Sequence, residues 1–295
     1  MNGSVQQQQD VFRAGNILLF LKFAAVSLLT LFLYYPALSS MVNAWYVDKE
    51  YSHGFLIPFI SGYLIWTKRA VIRSTPLLPD FRGYFIVLLG IAMLVLGSIA
   101  FEPFTTRVSL LITVLGLVTL LLGKHQLKVL LFPIAYLAFM IPPPYIVMKG
   151  IAVGLKLFNA TVTSRVLTLL GIPVLQEGAN LELPNMSLVV GDFCTGILSL
   201  IAIMAIAVLY AYLTQKSFLS RAALIVLAVP IAILGNTVRL ITTVGLAYFY
   251  GGIVLQSAIH EFHGTVNFLF TILFLALAGK FIRRIDEKVT GSVPS

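Results

Sequence analysis

Long apolar runs, each cut off by a short polar or basic stretch, constrain the fold of this sequence more than any other feature. Segments 17–38, 54–67, 83–101, 108–123, 128–143, 195–214, 222–247 and 264–282 read as spans, against ~20 residues for a helix that crosses the bilayer core. In lipid the backbone N–H and C=O groups must be satisfied within the segment, and runs of this length do so as helices. Charged residues make up 11% of the chain and hydrophobic ones 59%, where a soluble domain carries about 25% charged residues. The sequence therefore predicts an all-α polytopic membrane protein with about eight transmembrane helices. It reads as one integral membrane domain over 1–295, frayed at 1–10 and 288–295, with no cleavable signal peptide.

The net charge of +9 does not point to nucleic acid, because the basic residues sit in short loops between apolar runs. Lys68, Arg69, Arg73 and Arg82, then Lys124 and Lys128, then Lys216 and Arg221, then Arg283, Arg284 and Lys288 occupy alternate loops. Asp48, Glu50, Glu102, Glu177, Glu182, Asp192 and Glu261 occupy the others. The positive-inside bias then puts both termini in the cytoplasm. Region 148–170 is excluded from the spans. Lys149, Lys156, Asn159 and Thr163 line one side of a helix there, with Ile151, Leu155, Phe158 and Val162 on the other, the pattern of an interfacial helix. A ninth span at this point would also turn the basic tail outward. Between Gly171 and Asp192, alternating residues with turn signals at Gly178 and Pro184–Asn185 predict a short extracytoplasmic hairpin or extended pair.

On this topology three consecutive spans bring Cys194, Arg239 and His260 toward the same outer face. Cys194 is the chain's one cysteine, which excludes an internal disulfide and any site built from several cysteines. A lone cysteine in an apolar helix is usually a packing residue, and a histidine at a membrane boundary is often only solvated. Arg239 is costly within a span unless it snorkels or is paired, so it marks function by default. Together the three suit acyl transfer through a thioester. A cation or a helix N-terminus lowers a thiol's pKa, an imidazole moves protons to the leaving amine and from the incoming nucleophile, and a guanidinium stabilises an oxyanion. Asn236, one turn before Arg239, shares its face. His263, three residues after His260, is a rival for the acid/base role.

Four stretches resemble the exosortase/archaeosortase family of polytopic membrane enzymes: "YSHGFLIPFISGYLIW" (51–66), "EGANLELPNMSLVVGDFCTGILSL" (177–200), "NTVRL" (236–240) and "HEFHGTVNFLF" (260–270). The resemblance implies a membrane-embedded cysteine protease or transpeptidase with Cys194 as nucleophile, Arg239 as transition-state stabiliser and His260 as acid/base. Asn236, Thr195, Gly196, His53 and His263 would support the site or contact substrate. Thr195 stands where the family has Ser, Glu261 where it has Asp, and Thr265 where an aromatic is common. His260 is preferred to His263 because it holds the motif position relative to Gly264 and Phe268.

The implied substrates are secreted proteins ending in a Pro-Glu-Pro-like motif, a membrane span and a basic cluster. They would be cut at the outer face of a cell inner membrane and transferred to an acceptor nucleophile, with no metal or other cofactor and no nucleic-acid partner. Two alternatives stand beside this. A transporter or lipid-handling protein would use Arg239 to bind an anion, although inverted repeats and a second intramembrane charge are missing from the sequence reading. A zinc intramembrane protease would use "HEFH", whose histidines are three apart rather than the four of HExxH, with a ligand from His53 or Cys194.

Overall fold

The computed structural model describes residues 21, 24–190, 197–251 and 258–290, without the side chains of 49–50, 197–199, 258–263 and 289–290. The chain divides between Pro142 and Pro143 into two compact units.

The first unit begins with α1 (Ala24–Leu33) and α2 (Tyr35–Val47), bent by 66° at Tyr34. Pro36 in the first turn of α2 brings no N–H to continue the ladder. Tyr34 is fully buried; its hydroxyl lies 2.7 Å from Thr113 Oγ1 and accepts from Ser109 Oγ at 3.2 Å. A 3-10 turn (Lys49–Phe55) leads into α3 (Leu56–Thr67) and α4 (Arg69–Ser74). Next come α5 (Arg82–Ile99), α6 (Pro103–Leu122) and α7 (Lys124–Tyr136), the last running on as a 3-10 turn over Leu137–Met140.

Gly83, Gly90 and Gly97, seven residues apart, form the buried stripe of α5. A Cβ at Gly83 would lie 2.6 Å from the Leu120 Cα. α5 and α6 therefore meet backbone to backbone, the close approach that small residues permit in membranes. Glu102 caps α6 by accepting the N–H groups of Phe104 (3.1 Å) and Thr105 (2.6 Å), and Pro103 sits in the first turn. The helix thus starts before the expected 108 and takes in Arg107, an intramembrane charge that the sequence reading did not count.

The second unit is α8 (Tyr145–Leu169), a sheet of β1 (Leu175–Glu177), β2 (Asn180–Leu183) and β3 (Met186–Val189), then α9 (Ile197–Thr214), α10 (Phe218–Tyr250) and α11 (Ala258–Thr290). The expected hairpin is a three-stranded antiparallel meander in the order β1-β2-β3. Both turn signals are used: Glu177 pairs with Asn180 around Gly178, and Leu183 pairs with Met186 around Pro184–Asn185. Leu181 and Leu183 point inward from β2, joining Val190, Ala160 and Leu167 of α8 and Leu240 and Val244 of α10 in one core cluster. Asn185 Nδ2 donates to the Tyr248 carbonyl at 3.0 Å, which fastens the sheet to the C-terminal end of α10.

At the other end, Gln215 Nε2 donates to the Gly279 carbonyl at 2.9 Å and Tyr210 Oη to that of Ala276 at 3.2 Å. These bonds tie the end of α9 to α11. Between the two ends, Ile203, Ala207 and Ala211 pack with Leu224, Ala228 and Ala232 of α10 and Leu275 of α11.

Among the described residues, α5, α6, α8, α10 and Gly264–Lys288 of α11 are long and apolar enough to cross a membrane, or six spans if the bent α1–α2 pair is one. The chain is a multi-pass helical protein, but helix length alone does not give eight spans. α3 has 12 residues, α7 has 13 with Pro133 inside it, and the described apolar part of α9 is Leu200–Thr214.

α8 is long and apolar enough to cross a membrane, and its burial bears on the reading of 148–170 as an interfacial helix. Its polar residues Asn159, Thr163 and Ser164 are buried, whereas Ile151, Leu157 and Phe158 are exposed. The polar residues of its C-terminal half thus face its own unit, while Lys149 nearer its start is exposed. A span at α8 would remove the parity link that carried orientation from one half of the chain to the other.

Candidate active site

α10 owes its length to an apolar run in which Pro230 is tolerated. Its buried stripe, read along the C-terminal half, is Asn236, Thr237, Leu240, Thr243, Val244 and Ala247. Polar groups in this stripe meet α8. The Thr237 hydroxyl is shared between Asn159 Oδ1 at 2.8 Å and the Ile233 carbonyl at 2.9 Å. Asn159 is 1% exposed and Asn236 4%, so both amides lie in the packed interior, where a buried polar group is costly unless it is hydrogen-bonded. These bonds fix the rotation of α10 about its axis.

That rotation leaves Arg239 half-buried and sends its guanidinium across to α11. A Cβ built on Gly264 would lie 3.2 Å from Arg239 Cζ and Nη2 and 3.5 Å from Nε. The head group thus occupies the notch that glycine leaves in α11. No other side chain at 264 gives a guanidinium the same room. Among the described residues, Arg239 has no carboxylate partner within 4.0 Å.

His260 and His263 both lie on α11. At about 100° per residue, position 260 is one turn before Gly264 on nearly the same face, and position 263 is about 100° away from it. The helix register therefore puts the His260 position, rather than that of His263, in line with the Arg239 notch. Cys194, Thr195, Gly196 and Asp192 lie outside the described residues. Val190, the last described residue before them, is buried in the same core cluster as Leu240, the neighbour of Arg239.

His53 belongs to the first unit, in the 3-10 turn Lys49–Phe55. Its neighbour Gly54 carries the indole of Trp45, whose Cδ1 would be 2.6 Å from an added Cβ. The Trp45 Nε1–H donates to the Met140 carbonyl at 2.8 Å. This contact gives the glycine of the Ser-His-Gly stretch a packing reason. The structure thus sets Arg239 on Gly264 with the His260 position one helical turn away, Asn236 one turn before Arg239 on α10, and His53 in the other unit. Among the described residues, no three His, Cys, Asp or Glu side chains gather as a metal site.

Two features escaped the sequence reading. The Arg239–Gly264 notch needs the pairing of α10 with α11, and only the glycine in "HEFHG" hinted at it. Arg107 was signalled by Glu102–Pro103, a cap followed by a first-turn proline. Its Nη2 donates weakly to Ser40 (Oγ at 3.3 Å), and its Nε is buried with no hydrogen-bond partner among the described residues.

A family model described as transmembrane exosortase (Exosortase_EpsH) matches residues 45–277. No curated protein and no solved structure matches the chain. The matched stretch contains every residue singled out above for the site, from His53 to His263.

Proposed function

This chain belongs to the transmembrane exosortase family, and from that premise we propose that it is a cysteine transpeptidase that processes C-terminal sorting signals of secreted proteins. The Cys194 thiolate attacks the scissile carbonyl carbon, and the oxyanion that forms is held by the Arg239 guanidinium. Collapse of the tetrahedral species breaks the C–N bond, and the leaving amine takes its proton from the His260 imidazolium. The thioester is then attacked by an acceptor nucleophile whose proton passes to His260, and the thiolate leaves. A planar cation suits the oxyanion role because its charge is worth most where water is excluded.

The observation that carries this reading is the seat of Arg239 on Gly264, one turn from position 260. Cys194 is the fourth residue after Val190, a reach of at most about 14 Å, and Val190 shares a core cluster with Leu240. Asn236 and the Asn159–Thr237 bond hold the arginine's helix in place. Thr195 and Gly196 follow the nucleophile as supporting residues, and His53 remains a candidate substrate contact.

Orientation rests on charges within the second unit. Lys216, Arg221, Arg283, Arg284 and Lys288 lie at the end where α9 runs into α10 and α11 finishes, and Glu177 and Glu182 lie on the sheet at the other. The positive-inside rule then puts Arg239 and the sheet on the extracytoplasmic side of a bacterial inner membrane. This argument does not depend on how many times the first unit crosses.

Trapping the acyl-enzyme tests the chemistry. With a sorting-signal substrate and the wild-type enzyme, acid-quenched during turnover, a covalent adduct between enzyme and the N-terminal product is expected, released by hydroxylamine as thioesters are. An adduct that still forms in Cys194→Ala would contradict the proposal.

A further inference from the structure

An apolar groove of about 870 Å³ runs along the outside of the α10–α11 pair. Its α10 wall extends from Leu227 to Val238 and its α11 wall from Asn267 to Phe281, which at the helical rise is roughly 17–21 Å of the ~30 Å hydrocarbon core. The walls are open: Leu234 is 61% exposed and Phe274 60%. At one end the groove meets the candidate site, since Val238 adjoins Arg239 and Asn267 follows Gly264 by one turn on α11.

The same end holds a polar side chain, Asn267, in the groove wall. The Asn267 side-chain amide has no hydrogen-bond partner among the described residues, although its backbone carbonyl accepts from Thr271 Oγ1 at 2.9 Å. An amide lining an apolar groove is stabilised by a partner that bonds to it. A lipid acyl chain offers no such bond.

We infer that this groove seats the membrane-spanning helix of the protein substrate, with Asn267 bonding to the substrate backbone where the extended sorting segment turns into that helix. The inference rests on the transpeptidase reading for the identity of the occupant. Its geometry is independent of the chemistry. A substrate is anchored by its apolar helix along α10 and α11, and the peptide bond that precedes the helix is delivered to Arg239. Interhelical association in lipid relies on close packing and side-chain hydrogen bonds rather than on a hydrophobic drive. Ala278, a small residue in the wall, and the Asn267 amide supply one of each.

The test uses the full-length protein in its membrane with Cys194→Ala, so that substrate is held uncleaved. The probe is a reporter ending in a sorting segment, an apolar helix of about 20 residues and a basic tail. A photoreactive amino acid replaces Leu234 or Phe274 in the groove, or Val226 or Leu269, which are exposed but outside it. The expected result is an adduct with the reporter at least tenfold stronger from the two groove positions, reduced several-fold by Asn267→Ala at unchanged membrane level. Equal adducts from all four positions, or groove adducts only with lipid or with a second copy of this chain, overturn the inference. Wild-type processing without a groove adduct removes the groove and leaves the transpeptidase reading intact. A groove adduct with a reporter that the wild type never cuts supports the groove and removes that reading.

Discussion

The guanidinium of Arg239 on α10 fills the space above Gly264 on α11, and an added Cβ would sit 3.2 Å from its central carbon. That spacing is tight but not prohibitive, because an arginine head group can give way by a few tenths of an ångström. Gly264→Ala should therefore lower processing several-fold, and Gly264→Val, whose branches enter the guanidinium's place, should remove most of it. Both proteins should reach the membrane at wild-type levels. Measuring processing rate against membrane abundance checks this, and full activity in Gly264→Val would show that the notch has no role.

Arg239→Ala should reduce processing by a factor on the order of 10²–10³, the usual loss for an oxyanion donor. Arg239→Lys should also fail, because an ammonium lacks the planar fork. Wild-type activity in the lysine variant would mean that charge alone suffices.

The register of α11 distinguishes the two histidines. His260→Ala should cost about 10²-fold or more, as loss of a general acid/base does, and His263→Ala much less. Single-turnover rates of the two variants decide it; the reverse order would exchange their roles.

Thr237→Val keeps the volume but removes the hydroxyl shared with Asn159 Oδ1. The expected loss is on the order of 0.6 kcal/mol, typical of interhelical bonds in membranes, read as a lower unfolding midpoint. Because the bond sets the rotation of α10, the processing rate should fall as well, and it should recover in Thr237→Ser.

Glu102, outside the spans at the start of α6, carries a pH dependence of stability. Burial pushes its carboxyl up, but hydrogen bonds from Thr105 and Phe104 and the charge of Arg107 outweigh this and hold it below the usual carboxylate value. A carboxyl held down in the folded protein contributes stability that is fully present above its unfolded value of about 4.3. That contribution is lost as pH falls through the folded value. Acid unfolding curves of wild type and Glu102→Gln should therefore converge in that window and separate above it, with wild type the more stable.

The parts of the fold that were legible in the sequence are those set by local pattern. α5, α10 and the last helix follow from apolar runs, and both turns of the sheet from Gly178 and Pro184–Asn185. The breaks were not legible, because the bend at Tyr34 is fixed by Thr113 and Ser109, far along the chain. In α8 the buried Asn159 and Thr163 form a packing face, which a polar stripe read along one segment does not distinguish from a wet one. In the candidate site, the motifs pointed to Arg239 and to the helix that carries Gly264, while the Cys194 stretch lies outside the described residues. The notch that seats Arg239 arises only when two helices meet, and no single segment encodes it.

The central claim is that Cys194 forms the acyl-enzyme, and the most direct measurement is mass spectrometry of the new C-terminus of a sorting-signal substrate co-expressed with wild type or Cys194→Ala. A truncated or acceptor-linked product made only by the wild type is the expected result, and its terminal mass identifies the acceptor. The same product from both proteins would contradict the thioester mechanism and return Cys194 to a packing role.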